Sequence, residues 1–461
     1  MLFHSTRGKD TNKTFEDVLM QGLASDGGLF MPNEWPKVDL KVLKESESFI
    51  DVAKHIVPLY TKSSFRDDEV IRLLDQTWHN FESEELIEIY DIDKDLSVLE
   101  LFHGPTAAFK DFGLQLAASF FNMTLQKQNK TAIVFGATSG DTGSAAIDAC
   151  KEFDLIKSFI LIPEGNMSDI QRKQMTTVNR KNVFPILANG TFDDCQDIVK
   201  KGFKERSFLR DGQYLLAVNS INWVRIIGQI CYYFYSNLKI NKFSQPLNFS
   251  VPTGNFGNVF ACYAASRMGM PLSKIIVAVN SNDILNRFFR NNDYSKKSVN
   301  ETISPSMDIS VASNFERLVY DFYLDRDSKT CSNLYNQFPI KNIQISENLW
   351  KKSKDLFLSY SVDDESTFDC MKFYKKNHGY IMDPHTAVAA DAVQKLNNEI
   401  INKTIMLATA HPAKFPNALE SSGISLDKIP YSLKKVLSKK EKAYELDTKD
   451  NSIFNFIKEN N

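Results

Sequence analysis

Short apolar runs alternate with segments of helical period through the middle of the chain. TAIVFG (131–136) precedes an apolar-periodic stretch at 142–153, SFILI (158–162) precedes 168–178, and NVFPIL (182–187) precedes 192–208. LNFSV (247–251) leads into 258–268, IIVAV (275–279) into 282–289, and TIMLAT (404–409) stands alone further on. Continuous apolar runs of this length predict strands buried on both faces, because a half-exposed strand would alternate apolar with polar. Alternation with helices predicts parallel βαβ units with right-handed crossovers, hence α/β architecture wound on both sides of its sheets. Residues 1–95 read as a mostly helical lead-in, 292–350 as a polar, irregular insertion, and the Lys-rich end from Leu433 as a solvated helix and tail. Asp383-Pro384 predicts a helix start, with the carboxylate as N-cap and proline in the first turn, continuing through Leu396.

Length and charge narrow the picture. A chain of 461 residues accommodates two or three domains, each able to bury a core. A net charge of −2 provides no field to recruit nucleic acid or an anionic membrane, so an anionic small molecule would need a local site. None of the six cysteines forms a C-x-x-C pair; no metal or redox motif is expected, and free thiols in a reducing cytosol are. The charged start MLFHSTRGKD lacks the apolar run of a signal peptide, and no stretch reaches 18 successive apolar residues. A cytoplasmic protein without a membrane partner is expected.

Ligands in such folds collect where strands end and helices begin. Three loops of unusual composition stand at such places. In LFHGPTAAFKDFG (101–113) the VLELF run ends in His-Gly-Pro, and Lys110 heads a helix through LQLAASFF. A helix N-terminus disfavours a cation, and the apolar neighbours Phe109 and Phe112 disfavour it further, so the ammonium pKa should fall. A neutral amine is what imine formation requires; the plain alternative is a surface lysine that snorkels off the helix. In VPTGNFGNVF (251–260), Gly254 and Gly257 let backbone N–H groups converge on an oxyanion at a helix start. The spacing matches neither the nucleoside triphosphate loop nor the dinucleotide fingerprint, and a ligand-free turn is the alternative. In FGATSGDTGSAA (135–146), glycines space out Thr138, Ser139, Asp141, Thr142 and Ser144, which makes either a cradle for a carboxylate or phosphate or an N-capping loop. Two anion nests and a lysine of depressed pKa share one explanation: a phosphorylated aldehyde cofactor and an amino-acid substrate.

These segments resemble the threonine synthase family. LFHGPTAAFKDFG is similar to its cofactor-lysine motif, PTGNFGN to its cofactor-phosphate loop, and ATSGDTGSAA to the substrate-carboxylate loop of the wider tryptophan synthase β-like group. STRG (5–8), LASDGGLFMP (23–32), NSINWVRIIGQ (219–229), SPSMDISVASNFERL (304–318) and ATAHPAKFP (408–416) are similar to further blocks, in the family's order. The resemblance is closer to the microbial and fungal branch, which implies no activation by S-adenosylmethionine. It implies two doubly wound α/β domains of fold type II behind a mostly helical segment 1–95. A smaller domain, 96–225, would carry the lysine and the carboxylate loop, and a larger one, 226–461, the phosphate loop. The implied cofactor is pyridoxal 5′-phosphate, held by Lys110 as a Schiff base. Gly254, Asn255, Phe256, Gly257 and Asn258 would bind its phosphate, and the Thr409 hydroxyl would meet its ring nitrogen, a milder electron sink than a carboxylate would give. Thr138, Ser139, Gly140, Asp141 and Thr142 would bind substrate.

The implied reaction is γ-elimination of phosphate from O-phospho-L-homoserine, then addition of water at Cβ to give L-threonine. Lys110, freed from the aldehyde, would act as the base over Cα. The substrate phosphate needs donors of its own, and Ser168, Arg172, Lys173, Asn189, Arg225 and Lys414 are candidates; His103 and His411 are candidates for orienting the cofactor, each equally readable as structural. The resemblance implies a monomer or homodimer acting on a small molecule. Three rivals stand beside this reading: a related phospho-lyase giving 2-oxobutyrate, a serine or threonine dehydratase, to which the STRG and DGGLF blocks do not belong, and a non-enzymatic paralogue, which would be expected to lose Lys110 or the GNFGN loop.

Overall fold

The apolar runs pair as parallel strands in two sheets, each packed on both faces. A computed structural model describes residues 1–138, 140–165, 167–449 and 451–461. The larger sheet has the order Phe357–Ser361, Leu272–Val279, Leu247–Pro252, Thr404–Ala408, Leu96–Glu100, Glu88–Asp91. Only its last pair is antiparallel. The smaller sheet has the order Tyr444–Asp447, Val183–Asn189, Ile156–Pro163, Ala132–Ala137, Tyr214–Leu216, parallel throughout. Alternate residues feed separate cores. Ile275, Val277 and Leu407 point into one, and Ile276, Ala278 and Met406 into another. In the smaller sheet Val134 and Ile160 join the first core, while Ile133, Phe159 and Leu161 join a third. Double winding therefore follows from apolar side chains at both parities of each strand.

Sheet membership crosses the segment boundaries expected from sequence. Leu96–Glu100 lies beside Thr404–Ala408 in the larger sheet, and the C-terminal strand Tyr444–Asp447 joins the smaller one. The Lys-rich end is thus not a solvated tail. Helix Ser452–Asn460 follows that strand and buries Ile453, Phe454 and Ile457 against Phe135, Phe159 and Phe208. Its apolar i, i+1, i+4 spacing was masked by the lysines before it. Nor is 292–350 a loose insertion. Asn314, Phe315 and Arg317 are fully buried. Arg317 donates to Phe30 O (3.1 Å) and Ile221 O (2.6 Å), and Glu316 receives Thr6 Oγ1 (2.6 Å) and both arms of Arg7 (3.0 and 2.8 Å). Polar residues read as surface are here the rivets that hold the STRG segment.

The lead-in 1–95 contains helices Phe15–Gln21, Leu40–Leu43, Phe49–Thr61 and Asp67–Thr77, plus a short antiparallel pair, Phe3–Ser5 with Phe30–Pro32. Helix Pro384–Lys395 begins as expected, with Asp383 accepting from the amides of His385 and Thr386. All six cysteines are free and buried. Among the described residues no helix is long and apolar enough to cross a membrane.

Helices Lys110–Gln128 and Trp223–Asn241 cross glycine on glycine, which sets Gly113 directly against the Arg225 backbone. A Cβ at Gly228 would lie 3.0 Å from both Gly113 Cα and Phe112 O, and one at Gly113 would lie 3.0 Å from Arg225 Cα. Backbone cannot yield as a flexible side chain can. Gly228→Ala is expected to destabilise the fold by about 1–3 kcal/mol. Urea unfolding reads this as a lower midpoint at constant slope; an unchanged midpoint would refute the tight crossing.

Candidate active site

The turn before Lys110 is stapled at both ends. Asp111 accepts from Thr106 N (2.9 Å) and Thr106 Oγ1 (2.6 Å). Phe109 N donates to Thr409 O (2.9 Å), and His411 N to Ala107 O (3.0 Å), so the loop leaving Thr404–Ala408 braces the turn. Gly104 is required because a Cβ there would overlap Asp111 Oδ2 at 2.4 Å. Lys110 is the first residue of its helix, its side chain 12 % exposed. Its amine lies 3.3 Å from Ser306 Oγ and 3.7 Å from Asp141 Oδ2.

Burial lowers the Lys110 pKa to about 8, with Lys414 and Arg225 adding to the fall and Asp141 opposing it. The neutral amine therefore becomes common about two and a half pH units sooner than in a free lysine. The sign follows: capture of an aldehyde by the apo-protein should accelerate as pH rises through about 8 and level off above it. Stopped-flow mixing with pyridoxal phosphate across pH 6.5–10 checks this; a midpoint near that of free lysine would contradict it.

Asp141 is the hub of the neighbouring cluster. Oδ1 accepts from Lys414 Nζ (2.8 Å) and Gln171 Nε2 (2.9 Å), and Oδ2 from Ser306 Oγ (3.3 Å). Burial alone would raise its pKa, but Lys414 and then Lys110 outweigh burial and hold the carboxyl well below its ordinary range. Lys414 is fully enclosed and also donates to Thr106 O (2.7 Å). Asp111, by contrast, is pushed up to about 7, chiefly by burial. Ser306 is fixed from behind: its amide donates to His385 Nε2 (3.2 Å), and His385 Nδ1 lies 2.7 Å from Asp383 Oδ2. That pairing makes Nδ1 the protonated nitrogen and leaves Nε2 to accept.

The GNFGN turn follows strand Leu247–Pro252 at its carboxyl end. Phe256 adopts φ +63° just before helix Gly257–Arg267, and its amide is capped by Thr253 Oγ1 (3.2 Å). Asn314 clamps Asn255 O through its amide and its Nδ2, both at 3.0 Å. A Cβ at Gly254 would meet Met307 Cα at 3.0 Å and Ser306 O at 3.2 Å, so this turn and Lys110 share the 306–307 segment. The Asn258 side-chain oxygen accepts from Tyr233 OH (2.7 Å) and from Tyr232 OH. Its Nδ2 is left buried with no hydrogen-bond partner. A stranded donor at a helix start, beside a glycine turn too tight for side chains, fits a phosphate. With the enclosed amine of Lys110 and the buried Thr409, these residues fit pyridoxal 5′-phosphate.

Not every residue expected at the site faces it. Thr138 Oγ1 accepts from Gly140 N (3.1 Å) and Gly143 N (2.9 Å), which commits it to its own loop. Gly140 and Thr142 flank Asp141 at the head of helix Asp141–Cys150, and Ser139 lies outside the described residues. Asp141 faces cations, and as an anion it cannot itself receive a substrate carboxylate. Among the phosphate candidates, Lys414 and Arg225 lie in the buried cluster, and Ser168 Oγ donates to Lys414 O (2.8 Å). Arg172 instead pairs with Glu441 and Asp169, Lys173 Nζ binds Leu437 O (3.2 Å), and Asn189 is exposed at the end of its strand. His103 pairs with Glu100 (2.9 Å). His411, lowered to about 4 by burial and by His103, is neutral, and its Nδ1 accepts from Ala413 N (3.1 Å). Sequence reasoning missed Gln171, Ser306, Asp383 and His385 as site residues. Ser306 lay inside a recognised block and Asp383 at a recognised helix start, but only the fold brings Ser306 to Lys110 and sets Asp383 behind it through His385.

Comparison with known proteins bears on the fold and the cofactor. Residues 85–332 match the family described as pyridoxal-phosphate dependent enzyme, residues 2–78 the threonine synthase N terminus, and residues 386–457 the threonine synthase C-terminal region. The threonine synthase of Pseudomonas aeruginosa is 41% identical over 92% of this chain and 91% of its own length. A crystal structure of pyridoxal-phosphate-bound threonine synthase from Brucella melitensis superposes with a TM-score of 0.94 at 35% identity, covering 99% of both chains. Threonine synthase from yeast superposes at 0.92 with 38% identity, covering 100% of this chain and 98% of that one.

Proposed function

The chain belongs to the threonine synthase family of pyridoxal-phosphate-dependent enzymes, and from that premise we propose that it converts O-phospho-L-homoserine and water into L-threonine and phosphate through Lys110. The observation that carries the reading is an enclosed amine of lowered pKa, within reach of Ser306 and Asp141, beside a glycine turn with a stranded amide donor. Bound at Lys110, the cofactor supplies the electron sink that makes Cα and Cβ acidic and allows phosphate to leave Cγ.

The chain's own residues do the rest. Lys110 would hold the cofactor through its aldehyde, and as a free amine it would take the Cα proton; burial keeps it neutral enough to do so. Asp141 and Ser306 face the ammonium that results. The turn from Gly254 to Asn258 would hold the cofactor phosphate through backbone amides, and Thr409 would offer a hydroxyl to the ring nitrogen. The head of helix Asp141–Cys150, at Gly140 and Thr142, receives the substrate carboxylate. Lys414 and Arg225 supply positive charge for the substrate phosphate. The Phe109 ring, 6.0 Å from the Lys110 amine, is an apolar wall that limits water until phosphate has left. Six free, buried cysteines support a reducing, cytoplasmic setting.

Incubation with O-phospho-L-homoserine tests the reading. Phosphate and threonine should appear in equal amounts. Phosphate with 2-oxobutyrate, or no phosphate, would contradict it.

A further inference from the structure

Asp141 receives its hydrogen bonds as a bound anion would. Its donors come from three separate pieces of chain: Lys414 from the loop after Thr404–Ala408, Gln171 from helix Asp169–Thr176, and Ser306 from the 304–307 segment. Two of them meet Oδ1 at 2.8 and 2.9 Å, while Ser306 Oγ and Lys110 Nζ lie at 3.3 and 3.7 Å from Oδ2. Donors placed on both oxygens of one carboxylate describe an oxyanion subsite that the protein itself has filled.

The charge count points the same way. Lys110 and Lys414 are buried against Asp141, with Arg225 near Lys110 and Asp111, its carboxyl pushed up to about 7, near Lys414. Arg225 donates to Val218 O (3.0 Å), but its Nε is buried without a partner. So enclosed a cluster, with cations in excess and a guanidinium nitrogen unmet, is built for a further anion. Lys414 in particular is 0 % exposed. A buried ammonium needs an anionic partner, and Asp141 Oδ1 at 2.8 Å supplies it within the chain.

We propose that Asp141 is that internal stand-in: its carboxylate occupies the oxyanion subsite of Lys414, Gln171 and Ser306 and yields it to an anionic group of the substrate. The local chain permits the exchange. Asp141 opens its helix between Gly140, at φ +154°, and Gly143, and a Cβ at Gly140 would press on Gln171 Nε2 at 2.8 Å. The inference rests on the threonine synthase reading and deepens it, naming the subsite for a phosphate monoester or a carboxylate.

Removing the stand-in should tighten anion binding, because part of the wild-type affinity is lost to the occupied state. Calorimetry on the holoenzyme, with inorganic phosphate in one arm and acetate in the other, reads this. Asp141→Asn keeps the side chain's size and should bind at least one probe about fivefold or more tighter than wild type. The added change Lys414→Gln should cancel the gain. A gain with phosphate assigns the subsite to the ester end of the substrate, and a gain with acetate assigns it to the carboxylate end; either supports the stand-in. No gain with either probe, or weaker binding, overturns it. Asp141→Ser repeats the test should the first variant fold poorly. In wild-type crystals soaked with phosphate, Asp141 should have left Lys414 with the anion in its place, and an intact Asp141–Lys414 pair beside bound phosphate would count against the exchange. A wild-type enzyme that makes threonine while Asp141→Asn shows no gain refutes only the stand-in; a wild type that makes none refutes the function beneath it.

Discussion

Lys110→Ala should lower kcat by about a thousandfold or more while leaving the fold intact. One side chain is asked to do two jobs, anchoring the cofactor and moving the Cα proton, and alanine can do neither. The loss should fall on kcat more than on KM, because the anion-binding groups at Lys414, Arg225 and the head of helix Asp141–Cys150 remain. Lys110→Arg separates charge from nucleophilicity. A guanidinium stays protonated and cannot form the covalent bond, so it should rescue nothing although it restores the positive charge beside Asp141. Steady-state kinetics with both variants, with folding checked by circular dichroism, measures the effect. Substantial activity in either would mean that the amine is a bystander.

Gly254→Val should weaken cofactor binding by between about tenfold and a hundredfold, the range expected of an overpacked site. The first new carbon would already stand 3.0 Å from Met307 Cα and 3.2 Å from Ser306 O, and valine adds two methyl groups beyond it. Relief requires either the 306–307 segment or the glycine turn to move. The first movement takes Ser306 from Lys110, and the second spoils the phosphate cradle. Titration of apo-protein with pyridoxal phosphate gives the affinity directly. Wild-type affinity in this variant would show that the turn is not the phosphate cradle.

What the sequence disclosed is the part of the design that is local in the chain. Unbroken apolar runs announced parallel strands because strands covered on both faces leave no polar parity. Lys110, the GNFGN turn and the SGDTG loop were legible because each concentrates its unusual composition within a dozen residues at a strand end. What remained hidden was long-range. Nothing near Ser306 indicates that its hydroxyl meets an amine 196 positions away, or near Lys414 that it answers Asp141. His385 reads as an ordinary helix residue until Asp383 is found against one ring nitrogen and the Ser306 amide against the other. Asp141 could be placed at the site from its loop, but not assigned its polarity. Only the fold reveals that it faces cations. Misreadings of 292–350 and of the C-terminal end share one cause: buried ion pairs and a lysine-rich approach make packed segments look solvated.

Reduction of the holoenzyme with borohydride, followed by peptide mapping, tests the core claim most directly. The pyridoxyl label should be found on Lys110 alone, in the peptide that contains PTAAFKDFG. A label on Lys414 or any other side chain, or no label at all, would contradict the account.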